Sequence, residues 1–517
     1  MRINKIFIIL PLFFISRIVF ITTAPIFFDS QEYLDRLANP NYFSAIISGH
    51  NPIHAGFPII FWPVFQFSEK INLNPVFWVI LAQIILSMVA VLCFYKATRE
   101  LSNERIAFFT SLISIFTPLF WITNVTIMME STYISFFLFS FYFLVKFLKH
   151  PKYKFLFLSS LFFGFSFLTH PFVILWMPFL TVISLILNRK KVLHMIVLFG
   201  ASAFIFAMIN IYLSAQSIQS SFSDGARLYL FSKIGEHAIL SFSLNSLFIA
   251  LRNTIIPLLR NDTSLLVFIA GISLINFAFY KKKLFWIGLF WILPSVEVNQ
   301  WWDSLLFGRH SAIAGFGLAF LAGIFFEKRR FLKYLLLLYV ISVSLPALML
   351  LKSDAPYLKE RKTISSLPSG FLISGNFERP QIYGLYKGEN VFVNEPEGDR
   401  QSLEEKIDKY LTDNKNVFIS SQALSDPYGL YTGPYLHNLS LSYAHDFTLS
   451  SVISKYKLTK YSSIDNEETI VIYKILKKES SPYPEIKKLN YSFRRIDYHD
   501  PVFQFWKFIN SHQPKSQ

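Results

Sequence analysis

The stretch with the clearest capacity for chemistry is acidic, Asp29-Ser30-Gln31-Glu32-Tyr33, and it opens directly off the first long apolar run. A carboxylate there sits at a membrane surface, within reach of a lipid head group and of a water-borne acceptor, and can take a proton from a hydroxyl nucleophile. The same spacing also suits a plainer role. Asp29 followed three residues later by Glu32 has the form of a capping box, with Tyr33 and Leu37 on one face of a short helix. Further on, Gly49-His50-Asn51-Pro52-Ile53-His54 offers two imidazoles in a turn-rich segment, fit for a phosphate or a metal ion, or for ordinary burial at an interface. Glu130, in Met128-Met129-Glu130-Ser131, is an ionisable group in apolar surroundings. That is costly and so marks either a function or a water boundary. His170, in Leu168-Thr169-His170-Pro171, offers the same two readings. In Gly308-Arg309-His310 the guanidinium of Arg309 can grip a phosphate through two parallel hydrogen bonds, a geometry lysine lacks, the alternative being an ordinary surface arginine. Arg17 lies within the first apolar run, where a central charge costs about 2.5 to 3.5 kcal/mol on insertion scales. Pairing with a carboxylate inside a helix bundle is the expected remedy.

Membrane-spanning helices must position these residues. Of 517 residues, 53% are hydrophobic and 18% aromatic, with 58 Phe, and mean hydropathy is +0.41. Soluble globular classes are therefore excluded in favour of a polytopic α-helical membrane protein. About eleven apolar runs recur up to residue 351, most of them long enough to cross a hydrocarbon core roughly 30 Å thick. They fall near 6–27, 75–95, 106–122, 132–147, 155–168, 172–187, 192–213, 264–280, 284–292, 311–326 and 331–351. The net charge of +16 sits in alternate gaps, as in Arg189-Lys190-Lys191 and Lys281-Lys282-Lys283. Short basic loops are retained in the cytoplasm, so the charge reads as orientation in a plasma (inner) membrane, with the N-terminus inside, and not as affinity for nucleic acid. The first run has the basic start of a signal peptide but no small-residue cleavage site after it, and reads as an anchor. Loops 28–74 and 214–263 fall on the outer side and look membrane-hugging. In the second, Leu244, Leu247, Phe248, Leu251 and Ile255 recur at helical spacing, as in a helix lying in the interface, the alternative being a further spanning pair. The single cysteine, Cys93, allows no internal disulfide.

From 352 to 476 the pattern changes to short β-rich runs, 371–374, 391–393, 417–420 and 469–473, with a helical stretch at 403–411. This predicts a small extracytoplasmic α/β domain with a partly parallel sheet. Residues 477–517 read as an irregular tail.

In their order along this topology, the acidic first loop, His50-Asn51-Pro52, Leu168-Thr169-His170-Pro171 and Gly308-Arg309-His310 resemble the GT-C superfamily of membrane glycosyltransferases. The likeness is to the protein O-mannosyltransferase and lipid A aminoarabinose transferase branch. The family's His-Pro-Pro stands here as His50-Asn51-Pro52, and its adjacent acidic pair as Asp29 and Glu32. The resemblance implies a sugar donor linked to polyprenyl phosphate, a lipid, glycan or protein acceptor, and transfer on the outer face. It implies Asp29 and Glu130 as catalytic residues, with Arg309, His50, Glu32, His170 and His54 binding substrate or phosphate. The candidate cofactor is a divalent metal ion, with no other implied. Two further classes stay open: a transporter of lipid-linked saccharides, which predicts inverted repeats and broken helices, and a non-catalytic envelope scaffold in which Asp29 is a helix cap.

Overall fold

A computed structural model describes residues 5–22, 28–48, 53–227, 255, 258–259, 263–295, 312–352, 363–364, 366–375, 390–394, 400–425, 452–463, 471–479, 484 and 499–511. The chain divides into two compact units. Met1–Thr23, Tyr33–Met349 and Arg494–Gln517 form the first, and Ala24–Glu32 and Leu350–Phe493 the second.

The helical elements are α1 (Ile6–Ile18), α2 (Phe28–Ala38), α3 (Tyr42–Ile47), α4 (Gly56–Lys70), α5 (Pro75–Leu101), α6 (Glu104–Phe116), α7 (Pro118–Val125), α8 (Met129–Lys149) and α9 (Tyr153–Thr169). After the 3-10 turn Pro171–Trp176 come α10 (Met177–Asn188), α11 (Val192–Ser217), α12 (Ser264–Tyr280), α13 (Lys282–Ile292), α14 (Ala312–Phe325) and α15 (Arg330–Lys352). Every apolar run read from the sequence falls on one or two of these helices. By length and composition, Pro75–Leu101, Met129–Lys149, Pro171–Ser217 and Phe331–Met349 can each cross a membrane, and the bent pair α6 and α7 makes a fifth candidate. Shorter apolar helices, Ile6–Ile18, Tyr153–Thr169, Ser264–Tyr280 and Ala312–Phe325, accompany them. Large apolar side chains face outward on α1 (Phe7), α11 (Phe204), α12 (Phe279) and α15 (Phe331), the surface expected where lipid is the solvent. The protein is an integral membrane protein.

Local chemistry explains where these helices start and break. Asn74 caps α5, accepting from the Val76 and Phe77 amides at 3.0 and 3.3 Å, with Pro75 at the first helical position. Asn103 caps α6 in the same way. Pro118 has no N–H to donate to Ser114, and the chain bends by 59° between α6 and α7. Three carbonyls at the break find other donors. Ser114 O accepts from the Thr117 amide and hydroxyl, Phe116 O accepts from the Ser344 hydroxyl at 3.1 Å, and Ile115 O accepts from Arg17. Arg17 also donates to Ser16 Oγ at 2.8 Å, and its guanidinium lies 4.2 Å from the Phe13 ring centroid and 5.3 Å from that of Trp121. The carboxylate partner expected for Arg17 is therefore replaced, among the described residues, by a broken helix's carbonyl and aromatic faces.

The first unit has two distinct ends. Lys5 meets Glu104 at 3.8 Å, Lys146 and Lys149 meet Glu100 at 3.9 and 3.2 Å, and Asn103 donates to Glu327 at 2.7 Å. These contacts gather the start of α1, the end of α5, the start of α6 and the ends of α8 and α14 into one basic pole. At the other pole Thr22 donates through its amide to Val125 O at 3.1 Å, and the start of α4 meets the end of α9. Between the poles the helices pack on small polar residues. Ser140 and Ser159 lie 3.3 Å apart, Ser87 and Ser135 3.0 Å, and Ser202 donates to Ser160 O at 2.6 Å.

The second unit contains β1 (Gly370–Gly375), β2 (Asn390–Asn394), α16 (Arg400–Thr412), β3 (Asn416–Ser420), α17 (Ser421–Ser425), β4 (Tyr456–Ser463) and β5 (Val471–Lys478). The sheet order is β2-β1-β3-β5-β4, with β1 parallel to β2 and β3, and β5 antiparallel to β3 and β4. Alternation sends Phe371, Ile373, Val417, Ile419 and Ile475 to one face, against Leu403 and Ile407 of α16. Leu372, Phe418 and Ile472 pack on the other with Ile364 and Leu367. The mixed α/β sheet is as the sequence predicts, and β4 is an addition. The tail departs from the expected irregular chain, since its residues Pro501–Ser511 form a helix, α18. The interfacial helix expected around 244–255 lies outside the described residues except Ile255.

Candidate functional site

The pole opposite the basic ends carries the polar side chains. Glu130 sits in the first turn of α8, fully buried. One turn further along the same face is Tyr133, whose ring centroid lies 4.9 Å from that of His170. His170 ends α9, and its ring stacks on that of His54 with centroids 5.3 Å apart and planes 26° from parallel. Residues more than 100 positions apart in the chain thus form one buried aromatic and polar column.

What holds the column is visible in the backbone. His54 immediately precedes α4, and its Nδ1 lies 3.1 Å from Thr169 O. Two residues later, a Cβ added to Gly56 would stand 2.1 Å from Thr169 Oγ1, 2.8 Å from its amide nitrogen and 2.9 Å from its Cα. Glycine is what lets α4 approach the end of α9 closely enough to stack the two imidazoles. Ser166 Oγ, one turn earlier in α9, donates to Tyr133 O at 2.7 Å and fixes α8 beside it. From α5, Gln83 Nε2 donates to Met128 O at 2.8 Å and to Ser131 Oγ at 2.6 Å, bracing the turn that carries Glu130.

The hydrogen bonds also set the tautomers. A carbonyl only accepts, so His54 carries its proton on Nδ1 and, when neutral, presents Nε2 as an acceptor. His170 Nδ1 accepts from the Phe172 amide at 3.3 Å, so its proton resides on Nε2, which donates. The two stacked rings thus meet in opposite tautomers, each fixed through its own Nδ1.

Of the residues singled out from the sequence, the structure stacks His54 on His170, and Glu130 lies one helical turn from Tyr133, whose ring meets His170. Glu32 is half-buried on α2, and Asp29 belongs to the first turn of that helix, with its side chain outside the described residues. Tyr33 and Leu37 share the buried face expected of α2, and Arg36 pins the helix to the end of α3 through Ala45 O at 3.2 Å and Ile46 O at 2.9 Å. His50 and Arg309 lie outside the described residues. Sequence reading missed Tyr133, which the three-residue spacing from Glu130 signals, and Gln83, a polar residue within an apolar run. The described residues contain no group of three or more His, Cys, Asp or Glu that could hold a metal ion.

Residues 54–213 match the family described as dolichyl-phosphate-mannose-protein mannosyltransferase. The matched stretch contains His54, Glu130 and His170 and excludes Asp29 and Arg309. No curated protein matches the chain by sequence at a significant level. Among solved structures, the chain is similar to ArnT from Cupriavidus metallidurans bound to undecaprenyl phosphate, at 11% identity and a TM-score of 0.55 over 90% of this chain and 97% of that one. It is similar to the Archaeoglobus fulgidus oligosaccharyltransferase in complex with Zn and sulfate, at 11% identity and a TM-score of 0.52 over 90% and 73%. The same organism's AglB, in complex with an inhibitory peptide and a dolichol-phosphate, aligns at 10% identity and a TM-score of 0.50 over 98% and 81%. Family match and fold together bear out the resemblance to the GT-C membrane glycosyltransferases read from the sequence.

Proposed function

We propose that this GT-C-fold chain is a glycosyltransferase that moves a sugar from a polyprenyl-phosphate donor to a lipid, glycan or protein acceptor at the pole opposite its basic helix ends. The observation that carries this reading is the buried stack of His54 on His170, with Tyr133 against it and Glu130 one helical turn away, all within the stretch 54–213 that matches the family. Basic ends mark the cytoplasmic side, so the column and the α/β unit face outward in a plasma (inner) membrane. Nucleotide sugars are cytoplasmic, and a lipid-linked donor brings the sugar to these residues. Structural similarity to proteins bound to undecaprenyl phosphate and dolichol-phosphate agrees with such a donor.

In the proposed reaction Asp29 takes the proton from the acceptor hydroxyl as its oxygen attacks the anomeric carbon. The bond from that carbon to the phosphate oxygen breaks, and polyprenyl phosphate leaves with the electron pair. Arg309 stabilises the departing phosphate. Phosphate needs no proton to leave, so one base suffices and the anomeric configuration inverts, unlike the paired carboxylates of glycosidases. Glu130 positions the substrate as a second catalytic carboxylate, and His50, Glu32, His54 and His170 orient the hydroxyl or phosphate oxygens.

A transporter calls for a broken helix, and α6 with α7 is one. Its freed carbonyls are occupied by Arg17, Ser344 and Thr117, however, which favours a structural role for the break. The test is to incubate full-length protein in lipid nanodiscs with polyprenyl phosphate carrying a radiolabelled sugar, supplying candidate acceptors. Label on an acceptor with stoichiometric free polyprenyl phosphate is the expected result. Retained, unturned donor across all acceptors would move the assignment to transport or scaffolding.

A further inference from the structure

The helix α18 is short, firmly fastened at its start and only partly covered. Asp500 precedes Pro501, the pattern of an N-cap before a proline at the first helical position. Its Oδ1 accepts from the Val502 and Phe503 amides at 3.0 and 3.1 Å. The same side chain serves a second helix. Asp500 Oδ2 accepts from the Ser264 amide at 2.8 Å, at the start of α12, where the N-cap residue Thr263 makes no side-chain cap of its own. The Tyr339 hydroxyl of α15 donates to Asp500 Oδ1. One fully buried carboxylate thus faces two helix N-termini and a phenol, the kind of satisfaction a buried carboxylate requires.

Beyond this clasp the helix turns an apolar stripe outward. Phe505, Phe508 and Ile509 are 65%, 60% and 46% exposed, while Phe503 is buried. Their spacing of three and four residues puts them on one face. With 11 residues, α18 is about 16 Å long, well short of the roughly 20 residues needed to span a bilayer. The neighbouring α12 turns Phe268, Ile272, Ile275 and Phe279 outward, a face that lipid covers in a membrane-spanning unit.

We propose that α18 is an in-plane membrane anchor. Asp500 fastens its start inside the helical unit, and Phe505, Phe508 and Ile509 lie in the interfacial layer of the bilayer, continuing the lipid-facing surface of α12. The occupant of this face is membrane lipid. This reading is independent of the proposed reaction.

The test uses the full chain in nanodiscs with Cys93→Ala, which leaves a single cysteine once Phe505→Cys is introduced for spin labelling. Collision with oxygen several-fold more frequent than with a water-soluble nickel complex is expected, the reverse of a Lys457→Cys label on exposed β4. In Asp500→Ala the Phe505 label should shift toward the Lys457 pattern. Asp500→Asn, which keeps one acceptor, serves if the alanine variant does not fold. A Phe505 label as open to nickel as that at Lys457, or shielded from both reagents, overturns the lipid assignment. Dipolar coupling between labels assigns the face to a second copy and also overturns it. An unaltered Phe505 pattern in both Asp500 variants refutes the fastening role.

Discussion

Replacing Gly56 by alanine is the smallest change that attacks the column directly. The added Cβ would stand 2.1 Å from Thr169 Oγ1, 2.8 Å from its amide nitrogen and 2.9 Å from its Cα, all below any real Cβ contact. A hydroxyl can rotate away, but the backbone of α9 cannot without moving the helix. Overpacking of this kind costs typically 1 to 3 kcal/mol, and two backbone contacts below 3.0 Å place Gly56→Ala near 3 kcal/mol. The displacement acts two residues from His54, so the 5.3 Å stack on His170 opens as well, and transfer should fall by more than the folded fraction does. The double variant Gly56→Ala with Thr169→Ala separates the causes, because it removes Oγ1 and leaves the backbone clash. Little recovery is expected. Gly200→Ala and Gly271→Ala, where nothing lies within 4 Å of the new Cβ, are the controls and should be neutral or stabilising by about 0.5 to 1 kcal/mol. Thermal unfolding in nanodiscs, read with label transfer on the same samples, decides it. A Gly56→Ala protein as stable and active as the controls, or full rescue by Thr169→Ala, would refute the close-approach argument.

Other changes probe separate parts of the account. Arg17→Lys keeps the charge but loses the planar stack on Phe13 and the fork that reaches Ile115 O, so it should cost about 2 kcal/mol, the worth of a hydrogen bond to a charged group; an unchanged unfolding temperature would show the contact to be idle. His170→Phe preserves ring stacking while removing the acceptor for the Phe172 amide and the donor on Nε2. It should lower stability by about 1 to 3 kcal/mol and transfer by roughly 100-fold, and equal losses in the two readouts would reduce His170 to a packing residue. In the α/β unit, hydrogen bonds from Lys455 and Lys478 hold the Glu404 carboxyl below its usual range, and Glu404 and Asp408 raise Lys478. The carboxylate's contribution is present above its unfolded pKa of about 4.3 and lost as pH falls through the lower folded value. The lysine's is present below about 10.4 and lost as pH rises through the higher folded value. Pulse proteolysis in urea should therefore separate wild type from Glu404→Gln at pH 7 and show the gap narrowing steadily as pH falls below the unfolded carboxylate value, whereas a gap that does not narrow contradicts the charge argument.

The spans and the sheet were legible because their signals are local. Apolar runs such as 192–213 and β-rich runs such as 417–420 need no distant partner to be read. β4 escaped notice because its burial pattern is irregular, with register shifts between Tyr456 and Leu458 and between Lys460 and Ser462, as suits an edge strand. α4 was hidden by Pro63, whose missing N–H frees Ile59 O, and the Tyr42 hydroxyl satisfies that carbonyl at 3.3 Å. At the site, Glu130, His54 and His170 were readable as chemical types. Their union was not, because it depends on Gly56 meeting Thr169 across more than 100 residues of chain. Arg17 was recognised as anomalous, but its partner is a carbonyl freed by Pro118, and the sequence marks the proline without telling which side chain takes up the bond. Asp500 carried a readable sign, Asp before Pro at a helix start; its bonds to Ser264 and Tyr339 carried none.

The central claim is transfer from a lipid-phosphate donor with Asp29 as base, and it is tested most directly by comparing wild type with Asp29→Asn in one assay. Both proteins are reconstituted in nanodiscs with polyprenyl phosphate carrying a labelled sugar, and free polyprenyl phosphate and labelled acceptor are measured together. The account predicts release and transfer by wild type, and loss of both in Asp29→Asn at unchanged unfolding temperature and unchanged donor binding. Transfer by Asp29→Asn at the wild-type rate would contradict the assignment of the base.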